Sequence, residues 1–351
     1  MRIATFNINN LFSRWVFRTD ATPVPKPNGT LVLTAPAGDS VTGAATSADP
    51  LPTPEVLHVK AGLETITGVL RTYRGKLVKG KDPKARTWIA RRIAALDADV
   101  LALQEVEDQE ALDIFHRDEL VPLGLSYPFR TVVEGNDDRR IDVAVLSRVP
   151  LRRVSSWRFW PDPGSPGERV FSRDLLQLEV FTPGRPLHLF INHLKSPFIF
   201  EEFKLTEAEK KVARKAILDK RTRQAAAVAD VLRLLRRDSR VIVLGDHNDN
   251  PDSPALAAFG TAGLVEHIGG AETMPGPNRK GELVADKFAG VSPTPWTHRF
   301  KGPEGTHFGL FDQIWTSQDL VPKVDGAWVM RRTQITGDGS DHDPSAIDLN
   351  L

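Results

Sequence analysis

The sequence predicts a layered domain of the α/β or α+β class, and three observations predict it. Short runs rich in Val, Ile and Leu alternate with segments of helical period, two of the runs read as a hairpin, and several runs end abruptly in polar side chains. At 351 residues the chain can bury one large core or two modest ones. Its 40% hydrophobic and 26% charged composition is that of a soluble globular protein. A net charge of +1 leaves a polyanionic partner open, because local patches and not totals steer such ligands. The absence of cysteine excludes disulfides, thiolate nucleophiles and thiolate-ligated metals, so any chemistry must use oxygen and nitrogen groups. No stretch approaches the roughly 18 apolar residues of a membrane span. The opening MRIATFNI lacks a basic start followed by a long apolar run. That reads as cytoplasmic if the chain is full length, and as secreted or periplasmic if a leader has been removed.

Arg2 to Ile8 alternates as a first strand and ends in Asn7, Asn9 and Asn10. From about 20 to 54 the composition shifts to Pro, Gly, Ala, Thr and Ser, which reads as an extended surface insertion. One short helix is expected within Glu55 to Lys79. Trp88, Ile89, Ile93 and Leu96 recur at helical spacing between Lys84 and Leu96. Val100 to Leu103 is a buried strand ending in Gln104 and Glu105, followed by a helix over Glu107 to Leu120. Ile141 to Leu146 is another strand, and Leu175 to Phe181 pairs with Leu187 to Ile191 across Pro183 to Pro186. The segment from about 203 to 238 reads as one long helix or two with a break near Asp219. Between Glu201 and Arg240 it carries roughly twelve Lys and Arg against seven Asp and Glu, either a solvated face or an anion-binding one. Val241 to Leu244 is a strand buried on both faces, bounded by Gly245 and followed by DHNDNP, which alone suits a turn as well as a site. Strands at Gly309 to Thr316 and near Ala327 to Arg331 complete the pattern.

Strand ends thus present Asn7, Glu105, His193, Asp246, Asn248, Asp312, Asp341 and His342. Each has a structural explanation by itself. Jointly they place carboxylates beside apolar runs, which costs stability unless they are paired or bind a cation. Oxygen ligands without cysteine suit Mg2+ or Mn2+, and histidines beside aspartates suit proton handling against a phosphate. Metal-assisted attack of water on a phosphoester is the natural reaction. Zinc on His193, His247 and His342 is the weaker option, because no HExxH spacing is present.

The motifs ATFNINNLF, LQEVE, FSRD, INHLKS, GDHNDNP, FDQIW and SDHDP, in that order, resemble the motif set of the endonuclease/exonuclease/phosphatase superfamily, related to DNase I and exonuclease III, in a bacterial nuclease-type branch. The resemblance implies an α+β fold, a four-layer αββα sandwich of two packed mixed β-sheets flanked by helices, in a single domain over 1–351. It implies Glu105 as principal Mg2+ ligand, supported by Asn7 and Asp341. Asp246 would orient or deprotonate water beside Asn248, His342 paired with Asp312 would contact the scissile phosphate, His193 would assist the transition state, and Arg173 would bind phosphate. Two departures stand out: His247 within GDxN, and Gln313 beside Asp312. The function expected is a divalent-metal-dependent phosphodiester hydrolase, most simply a nuclease with nucleic acid as substrate. Arg and Trp residues at Trp157, Arg158, Trp160 and Trp296 to Arg299 are placed to stack bases and hold phosphates, or else to fill loop cores. The alternatives are a phosphatase or a phospholipase C or sphingomyelinase-like phosphoesterase, and a non-catalytic binding protein on the same fold.

Overall fold

The computed structural model describes residues 1–23, 56–60, 69–199, 201–235, 239–278, 280–285, 295–302, 305–333 and 338–351. The chain divides into two compact units, Phe12–Lys81 and the remainder. In the first of these, Val69–Gly80 is the middle strand of an antiparallel sheet between Ser13–Pro23 and Val56–Lys60. The short helix expected within Glu55 to Lys79 does not fall on 56–60 or 69–79, and residues 61–68 lie outside the described residues. The described parts of that stretch are strands, in keeping with β-favouring Val, Leu, Thr and Tyr in VLRTYRGKLV. Most of the Pro-rich insertion expected at 20–54 lies outside the described residues.

The larger unit is built on two mixed sheets. Seven strands run in the order Glu272–Met274, Val324–Met330, Ser345–Leu349, Arg2–Leu11, Val100–Val106, Asp142–Ser147 and Phe129–Val133. Six run in the order Leu264–Glu266, Asp312–Ser317, Arg240–Asp246, Leu187–His193, Leu176–Val180 and Leu151–Ser156. Three separate apolar clusters show how the layers stack. The middle one joins Ile3, Val100, Ala102, Val143 and Ile347 of one sheet to Leu189, Ile191, Ile242, Leu244 and Ile314 of the other. Period-2 alternation sends the intervening residues outward. Ala4, Phe6, Leu101 and Leu103 meet Ile89, Ile93, Leu112 and Phe115 of two helices. Phe190, Val241, Val243 and Trp315 meet Ala225, Val228 and Val231 of another helix. Helix, sheet, sheet and helix is the four-layer α+β sandwich expected.

Helix Pro83–Leu96 starts at an Asp82 cap with Pro83 in its first turn and stops at Asp97 in left-handed conformation. It buries Trp88, Ile89, Ile93 and Leu96, the residues at helical spacing. Gln109–Phe115 is a shorter helix than expected and continues as a π turn to Leu120. Glu207–Arg233 is one unbroken helix opened by a Thr206–Glu209 capping box, so the break considered at Asp219 does not occur. Its first half is largely exposed, with Val212 69% exposed. The second half, rich in Ala, packs on the sheet.

That helix is tied to the Pro- and Gly-rich loop before it by Asp162. This fully buried carboxylate accepts from Lys220 Nζ at 2.6 Å, Arg223 Nε at 2.7 Å and Gly164 N at 2.9 Å. Burial pushes the carboxyl up, but the Arg223 and Lys220 hydrogen bonds outweigh it and hold the pKa at about 2. A depressed carboxylate contributes stability that is present above its unfolded pKa near 3.9 and lost as pH falls through about 2. Asp162→Asn is accordingly expected to cost about 1 to 2 kcal/mol in urea unfolding at pH 7, discounted because both cations are partly exposed. The gap to wild type should close as the pH is lowered from about 4 to 2; a gap independent of pH would contradict this account.

Candidate active site

Strand register brings the first group together. His193 lies beside Asp246 in the parallel pair Leu187–His193 and Arg240–Asp246, and Asp312 lies beside Asp246 on the other side. All three continue the inward-facing parity of Leu189, Ile191, Leu244, Ile242 and Ile314. Gly245 allows the chain to close up here. Its φ is +144°, and a Cβ would sit 2.0 Å from the Asn192 carbonyl oxygen. On the facing sheet Asn7 pairs with Gln104 at the matching ends of two parallel strands. Asn7 Nδ2 crosses between sheets to Asp246 Oδ2 at 2.9 Å.

Glu105 reaches the same place by a different device. Val100, Ala102 and Gln104 point inward, so strict alternation would turn Glu105 the other way. Instead its φ is +68°, and the pairing with Asp142–Ser147 slips between Gln104 and Val106. Such a bulge re-aims a side chain, with local strain as its cost. The carboxylate comes within 3.5 Å of Asn7 Nδ2, its one hydrogen bond among the described residues. Burial pushes its pKa up, opposed by the His342 charge.

Asp312 Oδ2 pairs with His342 Nδ1 at 2.7 Å, and His342 Nε2 lies 3.8 Å from Asp246 Oδ2. Burial by itself would lower the His342 pKa. The charges of Asp312 and Asp246, the Asp312 hydrogen bond and the Asp341 charge overcome this and raise it to about 10. His193 Nε2 is 3.4 Å from the same Asp246 oxygen but behaves oppositely. Burial, then the charges of Arg173 and His342, hold it well below the ordinary histidine range. One buried carboxylate is therefore flanked by a neutral imidazole and an imidazolium. Burial raises the Asp246 pKa, while Asn248 N donates to its Oδ1 at 2.9 Å. Asn248, at φ +55°, also donates Nδ2 to the Leu194 carbonyl at 3.1 Å. Arg173 is buried, with Nη1 3.3 Å from that carbonyl and Nε 3.1 Å from Asp137.

The residues of the remaining motifs hold this group in place. His247 is fully buried, 5.2 Å from the Phe259 ring, and burial pushes its pKa down to about 3. It fills space and does not join the site. Gln313 Nε2 donates to the Asp249 and Leu310 carbonyls while Oε1 accepts from Trp315, which fixes the turn after Asp246. Asp249 also pairs with Arg221 of the long helix.

Oxygen donors at Glu105 and Asp341 fit a hard dication: Glu105 has few hydrogen-bond donors, and Asp341 is exposed. Asn7, the expected supporting ligand, uses its amide group in hydrogen bonds here. Its Oδ1 takes the Asn9 N–H at 2.9 Å and its Nδ2 faces both carboxylates, so it bridges them as a donor. Among the described residues, His298, Asp341 and His342 bring ligand atoms within 4.8 Å of one another. His342 of this trio is also held by Asp312, and Asp341 is its carboxylate member. The alternative zinc trio of His193, His247 and His342 does not form such a group.

His298 was not singled out as a site residue by the motifs. Its ring lies 4.6 Å from that of His342, stacks on Phe311 at 5.0 Å, and its Nε2 is 3.6 Å from Asp341. The backbone bridge between His298 and His342 joins segments 44 residues apart in sequence, which no local pattern reveals. Trp296, by contrast, is buried beneath the Arg331 guanidinium at 4.1 Å, so the loop-core explanation holds there. Trp157 and Trp160 pack edge to face at 5.7 Å and are partly buried.

Comparison with known proteins bears on the family and the fold. A family model described as Endonuclease/Exonuclease/phosphatase family matches residues 70–342. Among solved structures, D. rerio TDP2 complexed with single strand DNA product superposes with a TM-score of 0.50 at 17% identity, covering 76% of this chain and 92% of that one. Beta toxin from Staphylococcus aureus gives 0.47 at 16% identity, covering 77% and 94%. An endonuclease/exonuclease/phosphatase family protein from Leptotrichia buccalis gives 0.49 at 13% identity, covering 76% and 93%. At these identities the structural likeness concerns the fold. Comparison with curated proteins finds no match. The family model spans most of the chain, including every strand end that carries the site except Asn7, and the chain belongs to the endonuclease/exonuclease/phosphatase family.

Proposed function

We propose that the protein is a divalent-metal-dependent phosphodiester hydrolase, a nuclease acting on DNA or RNA. The observation that carries this reading is geometric: Asp246 Oδ2 lies 3.4 Å from His193 Nε2 and 3.8 Å from His342 Nε2, and His342 Nδ1 is held at 2.7 Å by Asp312. Water needs a base, and the attacked phosphate needs a cation. Asp246 Oδ2 lies beside neutral His193, where it can orient a water molecule and take its proton. Asn248 holds the turn that aims Asp246. The His342 imidazolium, fixed by Asp312, faces the position of a phosphate oxygen and stabilises the charge that develops there. Arg173 adds a guanidinium whose charge acts on Glu105 and Asp246, and His193 assists the leaving oxygen.

Glu105, with Asp341, would hold Mg2+ or Mn2+, and the ion would supply Lewis-acid polarisation of the phosphoryl group. Asn7 keeps Glu105 and Asp246 apart and correctly spaced. We read residues 1–351 as one catalytic domain into which the 12–81 segment is inserted after the first strand. The strand-bound product named for the TDP2 structure is consistent with a nucleic acid substrate. The phosphatase, phospholipase C or sphingomyelinase-like alternative remains the second reading within the same family.

The test is a panel of plasmid DNA, RNA, bis-p-nitrophenyl phosphate, p-nitrophenyl phosphate and sphingomyelin, each with Mg2+, Mn2+ or EDTA. Hydrolysis of the nucleic acids and the diester with metal, and none with EDTA, is expected. Glu105→Ala and Asp246→Ala should each lower kcat by about 100-fold or more. Wild-type rates in both variants would refute the assignment of the site, and turnover of sphingomyelin alone would move the function to the second reading.

A second expectation concerns strain. In EDTA, Glu105→Gly should raise stability by about 1 kcal/mol while abolishing turnover, because glycine accepts the positive φ and removes a poorly solvated carboxylate. A loss of stability in thermal unfolding would mean that the bulge is held by the side chain and not imposed on it.

A further inference from the structure

The loop at 134–140, which the motifs pass over, is anchored beside the site at several points. Gly135 N donates to Asp142 Oδ1 at 2.9 Å, and a Cβ on Gly135 would meet the Arg173 Cα at 2.9 Å, so this approach requires glycine. Asn136 N donates to the Ser172 carbonyl at 2.8 Å, and Asn136 Nδ2 donates to the Phe171 and Arg158 carbonyls at 2.9 and 2.7 Å. The result is that Asp137 faces two arginines. It accepts from Arg139 through both oxygens, at 3.0 and 2.9 Å, and lies 3.1 Å from Arg173 Nε. Arg173 in turn donates to the Leu194 carbonyl, one residue before Lys195 and one after His193.

We infer that Arg139, with Arg173 and Lys195 beside it, forms an anion subsite for the phosphate next to the scissile one on a polynucleotide strand. This rests on the phosphodiesterase reading and sharpens it. Arg173 is buried and serves the reacting phosphate, whereas the Arg139 side chain is 56% exposed while clamped in one orientation. An exposed guanidinium immobilised by a carboxylate is preorganised for an incoming anion, and a substrate with a single phosphate leaves it unserved. A strand carrying phosphates at regular intervals engages both.

The electrostatics agree. Asp137 is pushed up by burial but held below the ordinary carboxylate range by its Arg139 hydrogen bond and the Arg173 charge. Lys195 is lowered by burial and then by Arg173 and Arg139. Arg139 and Arg173 thus share Asp137, with Glu105 acting on both and Lys195 repelled by the two arginines, a cluster of cations that an added anion would relieve.

Binding can be read without metal, by fluorescence anisotropy of a fluorescein-labelled single-stranded oligonucleotide of about 12 nucleotides in EDTA. Arg139→Ala is expected to weaken binding about tenfold at low salt and to flatten the slope of log K against log salt by about 0.7, the loss of one phosphate contact. Arg139→Lys should keep the slope and recover part of the affinity, since the charge remains and the fork is lost. With metal, the ratio of kcat/KM for the oligonucleotide to that for bis-p-nitrophenyl phosphate should fall about tenfold in Arg139→Ala, through KM. Wild-type affinity and salt slope in Arg139→Ala, or an equal loss on both substrates, would overturn the subsite and leave the hydrolase reading intact. Absence of hydrolysis of every phosphodiester by the wild type would overturn the hydrolase reading, and with it the position next to a scissile phosphate.

Discussion

Glu105, Asp246 and Asp312 bring three carboxylates to one end of the two packed sheets, two of them removed from water. Like charges in such a setting cannot all remain ionised without compensation. The surrounding structure supplies it in a definite order. Asn7 donates between Asp246 and Glu105, and the Asp312 carboxylate is taken up by His342, which becomes the imidazolium of the site. His193 is left neutral first by burial and then by the positive charges of Arg173 and His342 nearby. The opposite behaviour of the two histidines follows from burial at His193 and from the carboxylates around His342.

Holding His342 in that role requires a second buried ionic group behind it. Asp343 is fully buried and pairs with Arg92 at 2.7 Å, Arg332 at 3.1 Å and Arg331 at 3.5 Å. Arg92, from the helix on the outer face of the seven-stranded sheet, also donates to the His342 carbonyl at 3.0 Å. Ser340 caps the His342 N–H and donates to the Asn7 carbonyl at 2.7 Å. The SDHD segment is thus fixed from three directions. A buried ion cluster of this kind adds little net stability for its desolvation cost, but it fixes geometry, and geometry is what the His342–Asp312 contact needs.

Much of the site was legible in the sequence because period-2 alternation carries polar residues inward at strand ends. His193, Asp246, Asp312 and Asn7 follow the parity of the apolar residues that precede them. Glu105 was legible as chemistry but not as geometry, since parity points it away and only the bulge at positive φ brings it back. His298 was invisible for a different reason, because its place beside His342 arises from pairing between remote segments. The same limit applies to the C-terminal strand Ser345–Leu349, whose pairing with Arg2–Leu11 closes the sheet from the two ends of the chain. The strands at 56–60 and 69–80 were not legible because helical and strand periods are hard to separate in short segments that mix Val and Leu with Lys and Arg.

The basic helix shows why charge counts alone do not locate a ligand. Lys210, Arg214, Lys215, Lys220, Arg221, Arg223 and Arg233 each pair with an Asp or Glu, from the helix itself or from the loops it holds. The excess seen in the sequence is thereby spent on docking Glu207–Arg233 against Asp162 and Asp249, which fixes the turn behind Asp246. The short GNDDRR loop carries as many acids as arginines, yet it sets Arg139 and Arg173 against one shared carboxylate at the rim of the site. What marks out Arg139 is that it stays 56% exposed while sharing Asp137 with the buried Arg173 of the site, and that placement becomes visible only once the chain has folded.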